Sequence, residues 1–298
     1  MRAMRPWRVA AIAAGLLPLA GCAPAVLDPQ GPVGAQEKII LLDSVGIMLV
    51  VVIPTIIATL AFAFWYRASN PKARRLPDFE YSGRIEMVVW SIPVLVIIFL
   101  GGLAWVSSHD LDPAKPLASP NKPLEVQVVS LDWKWLFIYP QQGIASVNSL
   151  TIPAGVPVHF TLTSASVMNT FFVPQLGGMI YTMNGMADQL NLQADHPGTY
   201  YGESGHYSGD GFSDMNFKVN AMSPQDFAAW ARKTHGAGAM LDGAAYQALA
   251  KQSIKVAAFT YGSIDPNLFQ AVVSHAQAPG PGPQSGQPAA NVSPRTGG

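Results

Sequence analysis

The sequence predicts a protein of two parts, a transmembrane helical hairpin followed by an all-β domain with short C-terminal helices. Three observations predict it. Two long uncharged apolar runs lie in the N-terminal part of the chain, at Ser44–Tyr66 and Met87–Val106. After Pro123 the pattern changes to short alternating runs broken by Pro and Gly. The composition, 49% hydrophobic and only 12% charged, leans toward the membrane class. With 298 residues there is room for an anchor and for a soluble domain of ordinary size. The formal net charge of zero gives no electrostatic case for binding nucleic acid.

Residues 1–21 read as a lipoprotein signal peptide. Arg2, Arg5 and Arg8 precede an apolar stretch, Val9–Leu19, and Leu19-Ala20-Gly21-Cys22 places small residues before the chain's single cysteine. The alternative is an ordinary signal with a chance Cys22 after its cleavage site, but a stray exposed thiol is disfavoured outside the cell. The mature protein is therefore expected to begin at an acylated Cys22. A lone cysteine also rules out an intrachain disulfide framework and any cysteine-rich metal site. Residues 22–43, rich in Pro, Gly and Ala, are expected to be an extended periplasmic lead-in.

The spans at 44–66 and 87–106 each suffice for a bilayer, which takes about 20 residues per helical crossing. Pro54 is tolerable inside a membrane helix, and Trp90 and Trp105 suit the two interfaces of the second span. Neither run has a polar face of helical period, which argues against buried helices of a soluble protein. The 67–86 loop carries Arg67, Lys72, Arg74, Arg75 and Arg84, against Lys38 on one flank and Lys115 and Lys122 on the other. The excess of positive charge places that loop in the cytoplasm and both ends of the hairpin outside. Export of Cys22 requires the same topology.

A linker, 107–122, leads to the β domain at 123–220. Strands are expected at Leu124–Val129, Trp133–Tyr139, Ser149–Ile152, Val156–Thr163, Gln189–Leu192 and Gly198–Tyr201. This many short strands means a β-sandwich or a Greek-key barrel, and the pattern alone does not choose between them. Ser223-Pro224 opens a C-terminal helical extension, 221–277, with helices expected over 224–234 and 242–253. From Ala278 to Gly298 the Pro, Gly, Ser and Gln content predicts a disordered tail.

Several segments together carry a family resemblance. They are Glu86-Met-Val-Val-Trp, Asp110-Leu-Asp-Pro-Ala-Lys-Pro-Leu, Val129-Ser-Leu-Asp-Trp-Lys-Trp, Asn169-Thr-Phe-Phe-Val-Pro and the loop from Tyr200 to Met215. In this order, behind a lipobox and two spans, they resemble subunit II of haem-copper oxidases, and within that superfamily the bacterial cytochrome bo-type ubiquinol oxidases. The resemblance covers roughly residues 40–275 and implies a cupredoxin-like Greek-key fold for the β domain. In cytochrome c-oxidising members, two Cys, an intervening carboxylate, two His and a Met enclose a dinuclear copper centre. Laid on this chain, the Cys positions fall on Ser204 and Ser208, the intervening position on His206, the His positions on Asn169 and Phe212, and the Met position on Met215. Hydroxyls do not replace bridging thiolates, because copper at such sites needs soft sulfur and imidazole donors.

The resemblance therefore implies a subunit that has lost its copper and serves a proton-pumping quinol:dioxygen oxidoreductase in an inner membrane. No catalytic residue and no bound cofactor are expected in this chain. Haems and a mononuclear copper would belong to subunit I, smaller subunits would complete the complex, and ubiquinol would be its substrate. Two other readings compete: a copper-containing cytochrome c oxidase subunit II, which fails on ligands, and a membrane-anchored binding lipoprotein unconnected with any oxidase.

Other residues are weighed individually. Trp133 and Trp135 share a strand face by period two and read as aromatics packing the sandwich or its interface with the catalytic subunit. Glu86 is the one acid at the cytoplasmic start of the second span. The resemblance makes it a candidate at the mouth of a proton-uptake channel, while the helix dipole alone also favours an acid there. His206 with Glu203, Asp210 and Asp214 offers borderline ligands for a weak zinc or copper site, although a solvated acidic loop explains the same residues. Ser204, Ser208 and Asn169 are suited to hold the loop's shape by hydrogen bonds.

Overall fold

The structure is a computed structural model that describes residues 25–74 and 76–282. The signal segment, Cys22 and most of the tail lie outside the described residues. Contacts divide the chain into two units, one comprising residues up to Ala35 together with Pro113 onward, the other Gln36–Asp112.

Two helices supply the second unit, α1 (Pro32–Trp65) and α2 (Gly83–Asp110). Both are long and apolar enough to cross a membrane. Large apolar side chains stand exposed all along them, among them Val50, Leu60, Met87 and Ile97. A surface of this kind is stable only against lipid or another apolar protein surface. The helices outrun the apolar runs that predict them. The expected extended lead-in is corrected from Pro32 onward, where residues 32–43 are already helical. Pro32 has its φ fixed near the helical value and needs no intrahelical N–H partner at the first position, so it starts the helix. Each helix contains one proline, Pro54 and Pro93.

The β domain is a sandwich of two sheets. β1 (Leu124–Leu131), β2 (Lys134–Tyr139), β3 (Ile144–Val147), β5 (Val158–Ser164), β8 (Asp188–Leu192) and β12 (Phe259–Tyr261) form a six-stranded sheet in the order β12-β3-β2-β1-β5-β8. β4 (Ser149–Pro153), β6 (Asn169–Phe172), β7 (Ile180–Thr182), β9 (Gly198–Ser204) and β10 (Asn216–Met222) form the second, in the order β4-β10-β9-β6-β7. Each sheet contains one parallel pair, β1 with β5 and β4 with β10, because the chain repeatedly changes sheet instead of meandering within one. β11 (Met240–Leu241) and β13 (Ser263–Ile264) make a small separate ladder.

β2 is buried along its whole length, and the reason is a second layer. Its Trp135, Phe137 and Tyr139 face the sandwich interior, while Leu136 and Ile138 face the C-terminal extension. That extension comprises α3 (Pro224–Thr234), α4 (Gly243–Leu249), α5 (Leu268–Val273) and the strands β11–β13. Ser223 caps α3 by accepting from the Asp226 N–H at 3.1 Å, and Asp242 caps α4 by accepting from Ala245 at 2.8 Å. Tyr246, Leu268, Phe269 and Val272 press against the outer face of the six-stranded sheet. Residues 278–282 correct the expectation of disorder from Ala278. The Gly280 N–H donates to the Ala165 carbonyl at 2.8 Å, and the Gly282 N–H to Asp132 Oδ2 at 3.0 Å.

An aromatic cluster forms the interior of the sandwich. Phe171 from one strand and Phe217 from another stack at 5.3 Å and 18°, and Trp135 meets Phe171 edge-on at 5.6 Å. Gly202 lies opposite Phe217 in the β9–β10 ladder, and a Cβ there would enter the Phe217 ring. Phe217→Ala should therefore destabilise the β domain by about 3–5 kcal/mol. Denaturant unfolding followed by tryptophan fluorescence measures this, and a loss under about 1 kcal/mol would contradict the packing described.

Candidate functional site

The end of the sandwich where β6, β9 and the 205–215 loop meet collects most of the residues singled out above. Asn169 opens β6, and Ser204 closes β9, paired in register with Phe171. The Ser204 hydroxyl has Asn169 Oδ1 at 3.2 Å and the His206 carbonyl at 3.3 Å as acceptors, and its oxygen lies 3.5 Å from the Thr170 N–H. The Ser204 N–H donates to the Met215 carbonyl at 3.1 Å. Ser208 Oγ faces Met215 Sδ at 3.8 Å, a weak hydroxyl–thioether contact. Asn169, Ser204, Ser208 and Met215 are all buried. Phe212 and Met215 bracket a single 3₁₀ turn, Phe212–Asp214, that returns the chain to β10.

The other two positions do not join this group. His206 is exposed and stands edge-on to the Tyr181 ring at 6.2 Å. Phe212 is half-buried and packs edge-on to Tyr207 at 5.7 Å. Among the described residues, no three His, Cys, Asp or Glu side chains gather where they could hold a metal ion. His206, Glu203, Asp210 and Asp214 thus do not converge. The buried donors are hydroxyls, an amide and one thioether, a set that does not fit a dicopper centre.

Of the two readings of Trp133 and Trp135, packing within the sandwich is the one the structure shows, and they are corrected as interface aromatics. Both rings are within the domain's own core, at 1% and 0% exposure. Nor does period two put Trp133 there. β2 begins at Lys134, and Trp133 sits in the two-residue turn after β1 with φ +65°. From that turn its indole N–H donates to the Ser208 carbonyl at 3.1 Å, and its ring fills the space a Cβ on Gly211 would need. Trp133 therefore holds the loop directly, a role with no signal in the sequence.

Lys134, next in the chain, is buried as well, at 1% exposure. Its ammonium donates to the Lys251 carbonyl and Ser253 Oγ, each at 2.7 Å, and thereby ties the C-terminal extension to the turn. Burial lowers its pKa to about 8, with the Asp132 carboxylate opposing. Asp132 accepts from Ser166 Oγ and from the Gly282 N–H. Burial first, and then Asp132, pushes the Tyr246 phenol up, and burial pushes Tyr139 up to about 12. Glu86 occupies the first turn of α2, where its Oε2 accepts from the Trp90 indole N–H at 3.1 Å.

These features define a class, a cupredoxin-like β sandwich behind two helices long and apolar enough to cross a membrane. The family described as cytochrome c oxidase subunit II, periplasmic domain, matches residues 125–222, and the COX aromatic rich motif matches residues 237–279. Ubiquinol oxidase subunit 2 of Acetobacter aceti is 48% identical over 269 residues, 90% of this chain and 87% of its own length. Cytochrome bo(3) ubiquinol oxidase subunit 2 of Pseudomonas putida is 49% identical over 259 residues, 87% of this chain and 82% of its own. Among solved structures, the periplasmic domain of subunit II of cytochrome oxidase of Bradyrhizobium japonicum is similar at 21% identity and TM-score 0.37, over 39% of this chain and 96% of that one. The chain belongs to the ubiquinol oxidase subunit 2 family.

The Lys134 environment makes stability depend on pH in a stated direction. Its pKa is lower folded than the ordinary 10.5, so folding disfavours the charged form. That cost is fully present below about pH 8 and is relieved as pH rises toward 10.5, by up to about 3 kcal/mol. Unfolding of wild type and Lys134→Met should be compared between pH 7.5 and 10, since tyrosines, which ionise near pH 10, are common to both. Wild type is expected to gain stability across this window relative to the variant. Parallel curves would contradict the assignment.

Proposed function

We propose that this chain is the non-catalytic subunit II of a proton-pumping, haem-copper quinol:dioxygen oxidoreductase. The observation that carries the reading is the set of contacts between Ser204 and Asn169 and between Ser208 and Met215, hydroxyl, amide and thioether groups at positions that the resemblance assigns to copper ligands. An electron-accepting copper serves a soluble donor that docks from outside. A quinol delivers its electrons from within the bilayer, and the need for that copper disappears.

In this reading the haems and the mononuclear copper, which reduce dioxygen, belong to subunit I, and this chain's own part is structural. Its two helices clamp subunit I and the smaller subunits in an inner membrane, and its β domain lies in the periplasm as a cap. An acylated Cys22 adds a further hold on the membrane; dual anchoring of this kind suits a protein that must not detach. The 67–86 loop faces the cytoplasm. Glu86, in the first turn of α2, is then on the proton-uptake side, with its carboxylate steadied by the Trp90 indole.

The purified complex assayed with ubiquinol and, separately, with reduced cytochrome c as sole donor tests this. Rapid, oxygen-dependent turnover on quinol with negligible turnover on cytochrome c is expected. Rapid turnover on cytochrome c alone would overturn the reading.

A further inference from the structure

The segments just before and just after the hairpin, residues 30–34 and Pro113, meet the β domain at the end of β8, the residues just after it and the turn at 175–177. On the incoming side, the Gln30 carbonyl accepts from the Asp195 N–H at 2.8 Å, and the Gln30 N–H donates to the Gln175 carbonyl at 2.7 Å. The Gly34 N–H follows, donating to the Leu176 carbonyl at 3.0 Å. Gly31 passes so close to Gln193 that a Cβ would collide with its carbonyl. Val33 packs against the sandwich core. It also stands where a Cβ on Gly177 would meet it at 3.0 Å, with Leu192 at 2.6 Å. On the outgoing side, the Pro113 carbonyl receives two donors from one residue, the Asn191 backbone N–H at 2.9 Å and its side-chain Nδ2 at 3.1 Å. His159 Nδ1 lies 2.9 Å from Asn191 Oδ1 and orients that amide.

β8 is an edge of the six-stranded sheet, so its outward backbone groups would otherwise be free to pair with water or another chain. Pro113 occupies the Asn191 N–H of this edge, and Gln30 takes the Asp195 N–H just beyond it. Residues 30 and 113 are 83 positions apart, with the whole hairpin between them. They nevertheless meet partners within five residues of each other, Asn191 to Asp195. These contacts are hydrogen bonds and one apolar plug, peripheral to the aromatic core. Breaking them loosens the attachments without emptying the sandwich.

We propose that Asn191–Asp195 is a clip that holds the two segments flanking the helical hairpin, residues 30–34 and Pro113, to the β domain, with Gly31 and Asn191 its determining residues. The consequence for the oxidase rests on the subunit II reading: a domain released from the clip stays folded but no longer supports assembly of the complex. Asn191 and His159 are positioning residues in this scheme, and neither touches a substrate.

The test uses the full-length chain co-expressed with the rest of the oxidase and purified in mild detergent, as wild type, Gly31→Val and Asn191→Ala. Limited proteolysis reads cleavage within residues 25–35 and 112–123, thermal unfolding reads the β domain, and haem content reads assembly. Cleavage at those segments is expected to rise about tenfold or more in Gly31→Val and several-fold in Asn191→Ala. The β-domain melting temperature is expected to stay within a few degrees of wild type, and haem recovered per chain to fall. Unchanged cleavage in both variants would overturn the clip. So would loss of the domain's cooperative unfolding in both, which would make the corner part of the core. Absence of haem from the wild-type preparation would instead strike the subunit reading, and the cleavage arm would still report on the clip.

Discussion

The indole N–H of Trp133, donating to the Ser208 carbonyl at 3.1 Å, joins the first hairpin of the six-stranded sheet to the loop at the end of the sandwich. The rest of that end depends on it. Among the described residues no three His, Cys, Asp or Glu side chains gather at the loop, and its shape is held by contacts with its own and neighbouring residues. Trp133 supplies the largest of these, lying against Gly211 where no side chain would fit. Ser204 and Asn169 tie the loop to β6, and Ser208 meets Met215 behind it. The residues flanking Trp133 extend the same corner outward. Lys134 holds Lys251 and Ser253, and Asp132 holds Ser166 and Gly282. One turn thereby connects the sandwich, the loop and the C-terminal extension.

This arrangement explains why a polar, partly charged cluster persists in a domain that is otherwise a conventional apolar sandwich. A buried lysine is costly, and its lowered pKa is the measure of that cost. Its three hydrogen-bonding protons can be directed at fixed acceptors, however, which an apolar residue of the same volume cannot do. The extension is then docked in one register over the outer face of β2, where Leu136 and Ile138 need cover. The hydrogen bonds to Lys251 and Ser253 offset part of the cost of burying the ammonium.

Much of the architecture was legible in the residues, for identifiable reasons. The two spans are uninterrupted apolar runs, and the positive charge between them stands out against sparse flanks. β1 and β5 alternate cleanly, and Ser223-Pro224 announces α3. Other elements were harder to read. β3 is four residues with Ala and Ser at its centre, and β6 is a run without alternation. β10 alternates over Asn216–Met222, yet it lies outside the strands expected from the sequence, directly after a Gly- and Ser-rich loop. The start of α1 was masked by Pro and Gly that favour a loop locally but here begin a helix. The loop's emptied ligand positions could be read from residue types alone, whereas the means by which it closes could not. A left-handed tryptophan and a buried lysine both contradict local preference, and only tertiary contacts make them tolerable.

The loop is closed by its own contacts, Ser204 with Asn169, Ser208 with Met215 and Trp133 with Ser208. Electron paramagnetic resonance and metal analysis of the intact oxidase, after exposure to excess copper and removal of the unbound metal, address this closure most directly. The account predicts no mixed-valence dicopper signal and no copper assigned to this chain. A tightly held dicopper centre within residues 125–222 would contradict it.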